Sequence, residues 1–379
     1  MVLVEVNMLF YITLFIILSL MYLLSAYVRV IKDEVYALAC ALLYFVMALR
    51  KKSVGTDTGV YVWLYLSNGE SHHSFQQVVA DNQSLPMVYR LYCYTIFQLF
   101  PSGQAIIIFN SAIIMIATFL FIKEYSSNKI FSLLLYVFSF SYFFAFNIMR
   151  QSAAIALILL SLVCLKRRKI LLSVVFLSLS VGFHPTSLFM ICVILPALQT
   201  CVTKREFKPR FVLVLALAAS LAFRILYQTL FSYFISYFSH YSMYEEGNSA
   251  FSVNDVNQGR QSLIYIAILL FLFWVLQNKN IYIRLQTNKK LRFMWSIGSI
   301  CVGFGIFCTG VELLARLLYF MLPILVCVIS DLAYECDLFE HTFWYRVILF
   351  ICFLSLCLYM IFSNYGQVLP YEFFWEGVR

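Results

Sequence analysis

Long apolar runs recur along the whole chain, and they limit its fold more than any other feature. Of the 379 residues, 63% are hydrophobic and only 12% are charged. A soluble core cannot bury so much apolar surface, whereas runs of roughly 17–25 apolar residues suit helices that cross a bilayer. We therefore predict an all-α fold, a polytopic transmembrane helical bundle that forms a single integral membrane domain over residues 1–379.

About twelve spans are predicted from these runs. They lie near residues 7–27, 35–49, 104–122, 130–146, 148–165, 170–183, 187–202, 211–231, 261–277, 293–310, 315–333 and 343–362. The first run has neither a basic n-region nor a small-residue cleavage site, so we expect a retained span and not a cleaved signal.

Basic clusters between the spans predict which loops face the cytoplasm. They comprise Lys166–Lys169, residues 203–210 and residues 279–292, and loops rich in lysine and arginine tend to stay on the cytoplasmic side. This bias also explains the net charge of +9, so we expect no nucleic-acid partner. Residues 50–103 and 232–260 then form external loops of a multi-pass protein in an inner (cytoplasmic) or plasma membrane.

The orientation of the N-terminal part depends on one short segment. Arg29 and Lys32 compete with residues 50–52 as the cytoplasmic flank of the second span, and counting cations alone slightly favours the latter. If successive spans instead alternate in direction from a cytoplasmic Lys166–Lys169, then Arg29 and Lys32 lie in the cytoplasm and residues 50–52 lie outside, unless Tyr89–Phe100 also crosses the membrane. That segment would form a helix only about 21 Å long, too short for a hydrocarbon core of about 30 Å. We therefore predict an interfacial or re-entrant helix and both termini outside.

Cysteine usage gives no indication of a metal site or a disulfide framework. The chain has 11 cysteines, mostly inside apolar runs and never in a C-x-x-C pair. They are typical of small core residues. We expect neither a metal nor a cofactor.

Residues 170–200 form an unusual segment, because both of its ends are basic and the apolar arms are short. Each arm on either side of His184-Pro185 spans about 21–23 Å as a helix. A turn at that depth is tolerated where it is buried in protein or lines a wet cavity. The segment therefore predicts either a shallow hairpin whose turn lines a cavity, or two strongly tilted helices.

Three arginines at the predicted outer ends of spans are candidates for binding a diphosphate: Arg150, Arg260 and Arg316. A guanidinium offers paired donors to phosphate oxygens, and helix N-termini favour anions. The tripeptide Arg150-Gln151-Ser152 recurs at residues 260–262, although three identical residues do not establish a duplication. The alternative is an arginine that only extends along the helix end towards water.

Acidic and histidine side chains supply the candidate general bases, which are Asp57, His184 and Glu312. Asp57 could instead satisfy its own backbone as a helix cap or turn, and His184 could bond a carbonyl freed by the proline. Glu312 and Arg316 could form a local helix pair, but ionisable groups near a membrane are more often functional. Candidate substrate-binding residues are Thr56, Gln151 and Arg224.

The chain resembles the EpsG-like branch of the Wzy-type polysaccharide polymerases. The matching pieces spread across most of the chain: Val54-Gly55-Thr56-Asp57 with Tyr61, Ile148 to Ala153, Phe183 to Ser187, and Arg316 with Tyr319-Phe320. A tyrosine that is frequent two residues after the aspartate is Gly59 here.

This resemblance implies a membrane glycosyltransferase of the C type that makes O-antigen (lipopolysaccharide) or capsule. The growing glycan would leave undecaprenyl diphosphate and join the non-reducing end of a lipid-linked repeat unit on the periplasmic or external face. Its partners would be the undecaprenyl-diphosphate-linked oligosaccharide and membrane lipid, with a chain-length regulator as a further candidate. The arginines would stabilise the leaving diphosphate without a metal, and a base would deprotonate the acceptor hydroxyl.

The sequence leaves three other functions open. A flippase or other transporter of lipid-linked oligosaccharides should show inverted repeats and polar residues near mid-membrane, whereas the charged candidate residues other than Arg224 cluster at one face. A membrane O-acyltransferase would need residues reached from the cytoplasm, where His341 is the only histidine predicted. An O-antigen ligase is chemically close to a polymerase.

Overall fold

The structure is a computed structural model that describes residues 2–81, 85–202, 206–237, 255–309, 312–335 and 342–376. Side chains are described within these ranges except for residues 2–7, 29, 228, 230–237, 255–261, 312–313, 335 and 342–343. The described residues form α-helices and short 3-10 turns, and within these ranges we find no β-strand, only an isolated antiparallel bridge between Arg50 and Phe373.

Contacts within the described ranges divide the chain into two compact units, one of residues 1–187 and 343–379 and the other of residues 188–342. The first unit contains α1 (Val2–Tyr27), α2 (Lys32–Ala48), α3 (Thr58–Ser71), α4 (Phe75–Ala80), α5 (Met87–Leu99), α6 (Gly103–Tyr125), α7 (Lys129–Phe138), α8 (Ser141–Asn147), α9 (Met149–Lys166), α10 (Ile170–Phe183) and α17 (Thr342–Phe362). The second contains α11 (Phe189–Val202), α12 (Pro209–Tyr237), α13 (Asp255–Val275), α14 (Lys279–Thr287), α15 (Lys289–Phe307) and α16 (Glu312–Glu335). The prediction of a single membrane domain stays a prediction.

The helices of the first unit run between two chemically different ends. At one end, which we call the basic end, Lys129 pairs with Asp33 at 2.5 Å and Lys166 pairs with Glu124 at 3.1 Å. At the other end, the start of α9 meets the loop after α2 and the chain after α17. We call this the Arg150 end, and it comprises residues 49–58, 146–151 and 364–376. The loop at residue 50 and the basic cluster at Lys166 therefore lie at opposite ends of this unit.

The segment from α3 to α5 leaves from the Arg150 end and returns to it. The Tyr65 hydroxyl donates to the Phe100 carbonyl at 2.6 Å, and the Gln104 amide donates to the Ala48 and Arg50 carbonyls at 2.7 and 3.1 Å. α6 thus begins where α2 ends. This agrees with a segment that does not cross the unit, although its depth in a membrane stays a prediction.

A buried polar cluster holds the α3–α5 segment together. Asp81 lies 3.2 Å from the His72 ring and 3.4 Å from the Arg90 guanidinium, and the Asn68 amide donates to the Arg90 carbonyl at 3.1 Å. His72 is buried in this cluster. An Asp–Arg–His cluster can be buried when its charged groups are paired.

In the second unit, α15 is the central helix and packs against α11, α12, α13, α14 and α16. Two glycines of α15 allow close packing against α12 and α13. A Cβ on Gly303 would come within 2.4 Å of the Ser220 hydroxyl, and one on Gly305 within 2.1 Å of the Tyr265 ring. The glycines therefore serve close helix packing, while α15 stays helical throughout.

Eight helical segments of the described residues are long and apolar enough to cross a membrane, or up to ten if two bent pairs count as spans. These pairs are α7 with α8, bent by 52°, and residues 262–275 with α14, bent by 95°. Each predicted span corresponds to one helix except residues 130–146, which are the bent pair α7 and α8, and the count of about twelve is not confirmed. The reason is length, since α2 has 17 residues and α10 has 14. The protein is a polytopic helical membrane protein.

Candidate functional site

The Arg150 end of the first unit is built around a break between two helices. α8 ends at Asn147 and α9 begins at Met149, with Ile148 in a non-helical conformation between them. Arg150 is therefore the second residue of α9, where backbone N–H groups lack partners within the helix. The side chain of Arg150 is half-buried, and its Nε atom is buried without a hydrogen-bond partner among the described residues.

Three groups hold the residues just before this break. The Thr58 hydroxyl donates to the Phe146 carbonyl at 2.7 Å, and the Arg50 guanidinium approaches the same oxygen at 3.4 Å. The Thr56 amide donates to the Asn147 side-chain oxygen at 2.5 Å. The loop with the predicted Gly55-Thr56-Asp57 motif is thus bonded directly to the residues that precede Arg150.

Arg50 is an internal cation of this end and was not predicted as such. It is only 1% exposed, and its guanidinium lies 4.6 Å from the centre of the Phe146 ring. Burial lowers the pKa of Arg50 to about 10, although the nearby hydroxyls of Tyr142, Tyr371 and Tyr11 act in the opposite direction. The residue anchors α2, α8 and the C-terminal segment and has no direct access to solvent.

The C-terminal segment completes the Arg150 end. The Gly55 amide donates to the Gln367 carbonyl at 2.9 Å, and the Lys51 amide donates to the Glu372 carbonyl at 2.8 Å. Lys51 also pairs with the Glu372 carboxylate at 3.0 Å. The motif loop is therefore fixed on one side by Asn147 and on the other by residues more than three hundred positions later.

Asp57 is the N-cap residue of α3, but its carboxylate makes no capping hydrogen bond to that helix. The side chain is half-buried, and neighbouring Thr56 is exposed. The helix-cap form of the alternative prediction is therefore not found, while a turn that the carboxylate stabilises stays an alternative. Asp57 stays a candidate base, and Thr56 a candidate substrate contact.

α5 links Arg150 to His184. Cys93 on α5 lies within electrostatic reach of Arg150, while Tyr89 and Tyr92 on the same helix pack against Phe183 at 5.6 and 5.1 Å between ring centres. His184 follows Phe183 as the half-buried C-cap of α10. Burial raises the pKa of Cys93 to about 12 despite the opposing charge of Arg150, so the thiol stays neutral.

The remaining predicted residues are distributed as follows. Gln151 is buried at the start of α9 in the first unit. In the second unit, Arg224 of α12 is half-buried with its guanidinium near the Cys308 thiol, and Arg316 of α16 is half-buried. The side chains of Arg260 and Glu312 lie outside the described residues. We predicted that these residues of the second unit share one site with Arg150, Asp57 and His184, and this stays a prediction.

An apolar groove of about 520 Å³ lies within the second unit, between α11, α12 and α15. Thr200, Glu206 and Lys208 are among its polar lining residues. Of the predicted site residues whose side chains the structure describes, none lines this groove. We therefore keep the Arg150 end as the candidate site.

Sequence reasoning missed Arg50, Thr58 and Asn147. Of these three residues, only Asn147 stands out in its local sequence, since it is an amide inside a long apolar stretch just before the helix break. Arg50 was counted as one of several loop cations, and nothing in the sequence indicates that the C-terminal segment would cover it. Among the described residues, no cluster of His, Cys, Asp or Glu could hold a metal ion.

The fold is that of a polytopic helical membrane protein, and one end of its first unit carries the buried Arg50 and the half-buried Arg150. The EpsG family model matches residues 34–373, so the chain belongs to the EpsG family. This confirms the resemblance and indicates a membrane protein of the polysaccharide-polymerase type. No curated protein and no solved structure matches the chain.

Proposed function

We propose that the chain is a metal-independent glycosyltransferase that polymerises O-antigen or capsular polysaccharide. It transfers the growing glycan from undecaprenyl diphosphate to the non-reducing end of a lipid-linked repeat unit, at the external face of the bacterial inner membrane. The observation that carries the proposal is the buried Nε of Arg150, which has no partner in the part of the chain that the structure describes and lies at the N-terminus of α9, next to the Gly55-Thr56-Asp57 loop. Family membership supports the polymerase class.

The orientation of the site rests on charge. The basic end of the first unit carries Lys129 and residues 166–169, and such clusters favour the cytoplasm. The Arg150 end then faces outward, where lipid-linked repeat units are joined. A chain-length regulator would act from this side.

In the proposed reaction, the acceptor hydroxyl attacks the anomeric carbon of the growing glycan. The bond between that carbon and the phosphate oxygen breaks, and undecaprenyl diphosphate leaves. Arg150 stabilises the negative charge on the leaving group, with Arg260 and Arg316 as further candidates. The hydroxyl proton passes to a base, for which Asp57 and His184 are candidates in the first unit and Glu312 in the second.

The glycan ladder of a deletion strain tests this proposal. The strain is complemented with wild type, Arg150→Ala or Lys52→Ala at matched membrane expression. Lys52 is an exposed cation of the same end, so its removal controls for net charge. Since loss of one preorganised donor typically slows a reaction about 10²–10³-fold, Arg150→Ala should leave caps of single repeat units.

The other outcomes separate the alternative functions. Long polymer that is not attached to its final acceptor would indicate a ligase. Absence of any capped or external lipid-linked unit in the deletion strain would indicate a flippase. A full ladder with Arg150→Ala would contradict the proposed role of this arginine.

A further inference from the structure

A row of buried donors lies along one face of α5, beyond the residues discussed as the reaction site. Tyr89, Tyr92 and Cys93 are spaced i, i+3 and i+4, so they share one helix face. Tyr89 is 1% exposed, and its hydroxyl has no hydrogen-bond partner of normal geometry among the described residues. Burial raises the pKa of Tyr89 well above its usual value, so this hydroxyl stays protonated and can donate.

A second donor comes from α6, which packs against both α5 and α9. Asn110 is 1% exposed, and its side-chain oxygen accepts a hydrogen bond from the Tyr92 hydroxyl at 3.0 Å. The orientation of the amide is thereby set, and its Nδ2 group is left without a partner in the described part of the chain. Tyr92 thus links Asn110 to the face of α5 that carries Tyr89.

Arg150 contributes the third donor to this region. Its charge acts on Cys93, and Cys93 adjoins Tyr89. Buried polar groups without partners are uncommon in native proteins and cost free energy. Three such donors, from α5, α6 and α9, indicate a ligand rich in acceptor oxygens.

The chemistry of the donors differs along this row. Arg150 carries a charge and suits a phosphate, whereas a phenol and an amide are neutral donors that suit sugar oxygens. Phe183 packs against Tyr89 and Tyr92 and adds apolar surface beside them. We propose that Tyr89 and Asn110 bind the sugar attached to the diphosphate that Arg150 holds, so that the site recognises a glycosyl diphosphate as one unit. This inference rests on the proposed function, which supplies the diphosphate.

Tyr89→Phe separates a ligand contact from a structural role. Among the described residues, the hydroxyl that this change removes has only a weak contact with the Cys93 thiol, so the unfolding temperature should change little. Tyr92→Phe removes the bond to Asn110 and should lower that temperature. Tyr94→Phe is the matched control, because Tyr94 lies on the same helix but packs against Phe75.

The experiment measures binding of two lipids to the purified full-length protein in lipid nanodiscs. One probe is undecaprenyl diphosphate, and the other is the lipid-linked oligosaccharide extracted from the deletion strain. Tyr89→Phe should weaken binding of the oligosaccharide lipid by about five-fold, as expected for one hydrogen bond, and leave undecaprenyl diphosphate unaffected. Arg150→Ala should weaken both, and Tyr94→Phe neither.

Two results would overturn the inference while leaving the proposed function intact. Wild-type affinity of Tyr89→Phe for both probes would mean that the hydroxyl faces a buried water and not the sugar. Equal weakening for both probes would assign the donor to the phosphate. If the wild type binds neither lipid, the proposed function fails, and the inference fails with it.

Discussion

At the residue scale, the carbonyl oxygen of Phe146 fixes the start of α9 to the rest of the first unit. Thr58 donates to it from the motif loop, and Arg50 approaches it from the end of α2. The Thr58 hydroxyl also donates to the Val54 carbonyl at 2.8 Å. One buried side chain therefore joins the motif loop to the helix break that presents Arg150.

Replacing Thr58 by valine keeps the shape of the side chain and removes both interactions. Because Thr58, Val54 and Phe146 are buried, we expect the variant to lose about 1–3 kcal/mol of unfolding free energy. Thermal unfolding in detergent measures this loss. Thr95→Val is the control, since that hydroxyl donates to the Leu91 carbonyl in an exposed position. Equal stability of the two variants would contradict the assigned role of Thr58.

At the scale of elements, the Arg150 end depends on a segment that is not a helix. Residues 364–376 pair with residues 49–56 through backbone hydrogen bonds, and Gly366 lies against the Asn147 amide. Gly366 has φ +72°, and a Cβ there would come within 2.3 Å of the Asn147 nitrogen. The C-terminal segment thus helps to hold the helix break in position.

Gly366→Ala should therefore disturb the site without touching a predicted reaction residue. We expect faster proteolysis of the loop at residues 51–57 and a shortened glycan ladder at matched expression. Gly59→Ala is the control, because a Cβ there would meet only the Lys52 carbonyl, at an ordinary 3.6 Å. Wild-type ladders and proteolysis for Gly366→Ala would show that the segment does not support the site.

Sequence periodicity predicted the helices better than their interruptions. All predicted spans but residues 130–146 correspond to a single helix, and the two arms around His184-Pro185 have 14 residues each. The bend at Phe140, where φ is 66°, could not be predicted, because no glycine or proline marks it in the sequence. The ion pair between Lys51 and Glu372 could not be predicted either, because a single sequence does not show which distant residues come into contact. Long-range packing therefore determines the part of the site that could not be predicted.

At the scale of the whole molecule, the account requires the two ends of the first unit to face opposite sides of the membrane. Basic clusters predicted this arrangement, and the ion pairs of Lys129 with Asp33 and of Lys166 with Glu124 lie together at the basic end. The family match over residues 34–373 supports the polymerase class for both units. The substrate and the contribution of the second unit to catalysis stay proposals.

Thiol labelling in intact cells tests the orientation. In a background without the exposed Cys192 and Cys352, a membrane-impermeant reagent should label Thr56→Cys and leave Lys169→Cys unlabelled. Both parent residues are exposed, so Lys169→Cys should react once the membrane is opened. The reverse pattern would put the Arg150 end in the cytoplasm and contradict external polymerisation.

Polymerisation by the purified protein tests the central claim most directly. Wild type and Arg150→Ala, each in nanodiscs, receive the lipid-linked oligosaccharide extracted from the deletion strain, and both products are measured. We predict that the wild type forms longer lipid-linked glycans with stoichiometric release of undecaprenyl diphosphate, and that Arg150→Ala is slower by about 10²-fold or more. Absence of chain growth with the wild type, or equal rates for the two proteins, would contradict a polymerase that acts through Arg150.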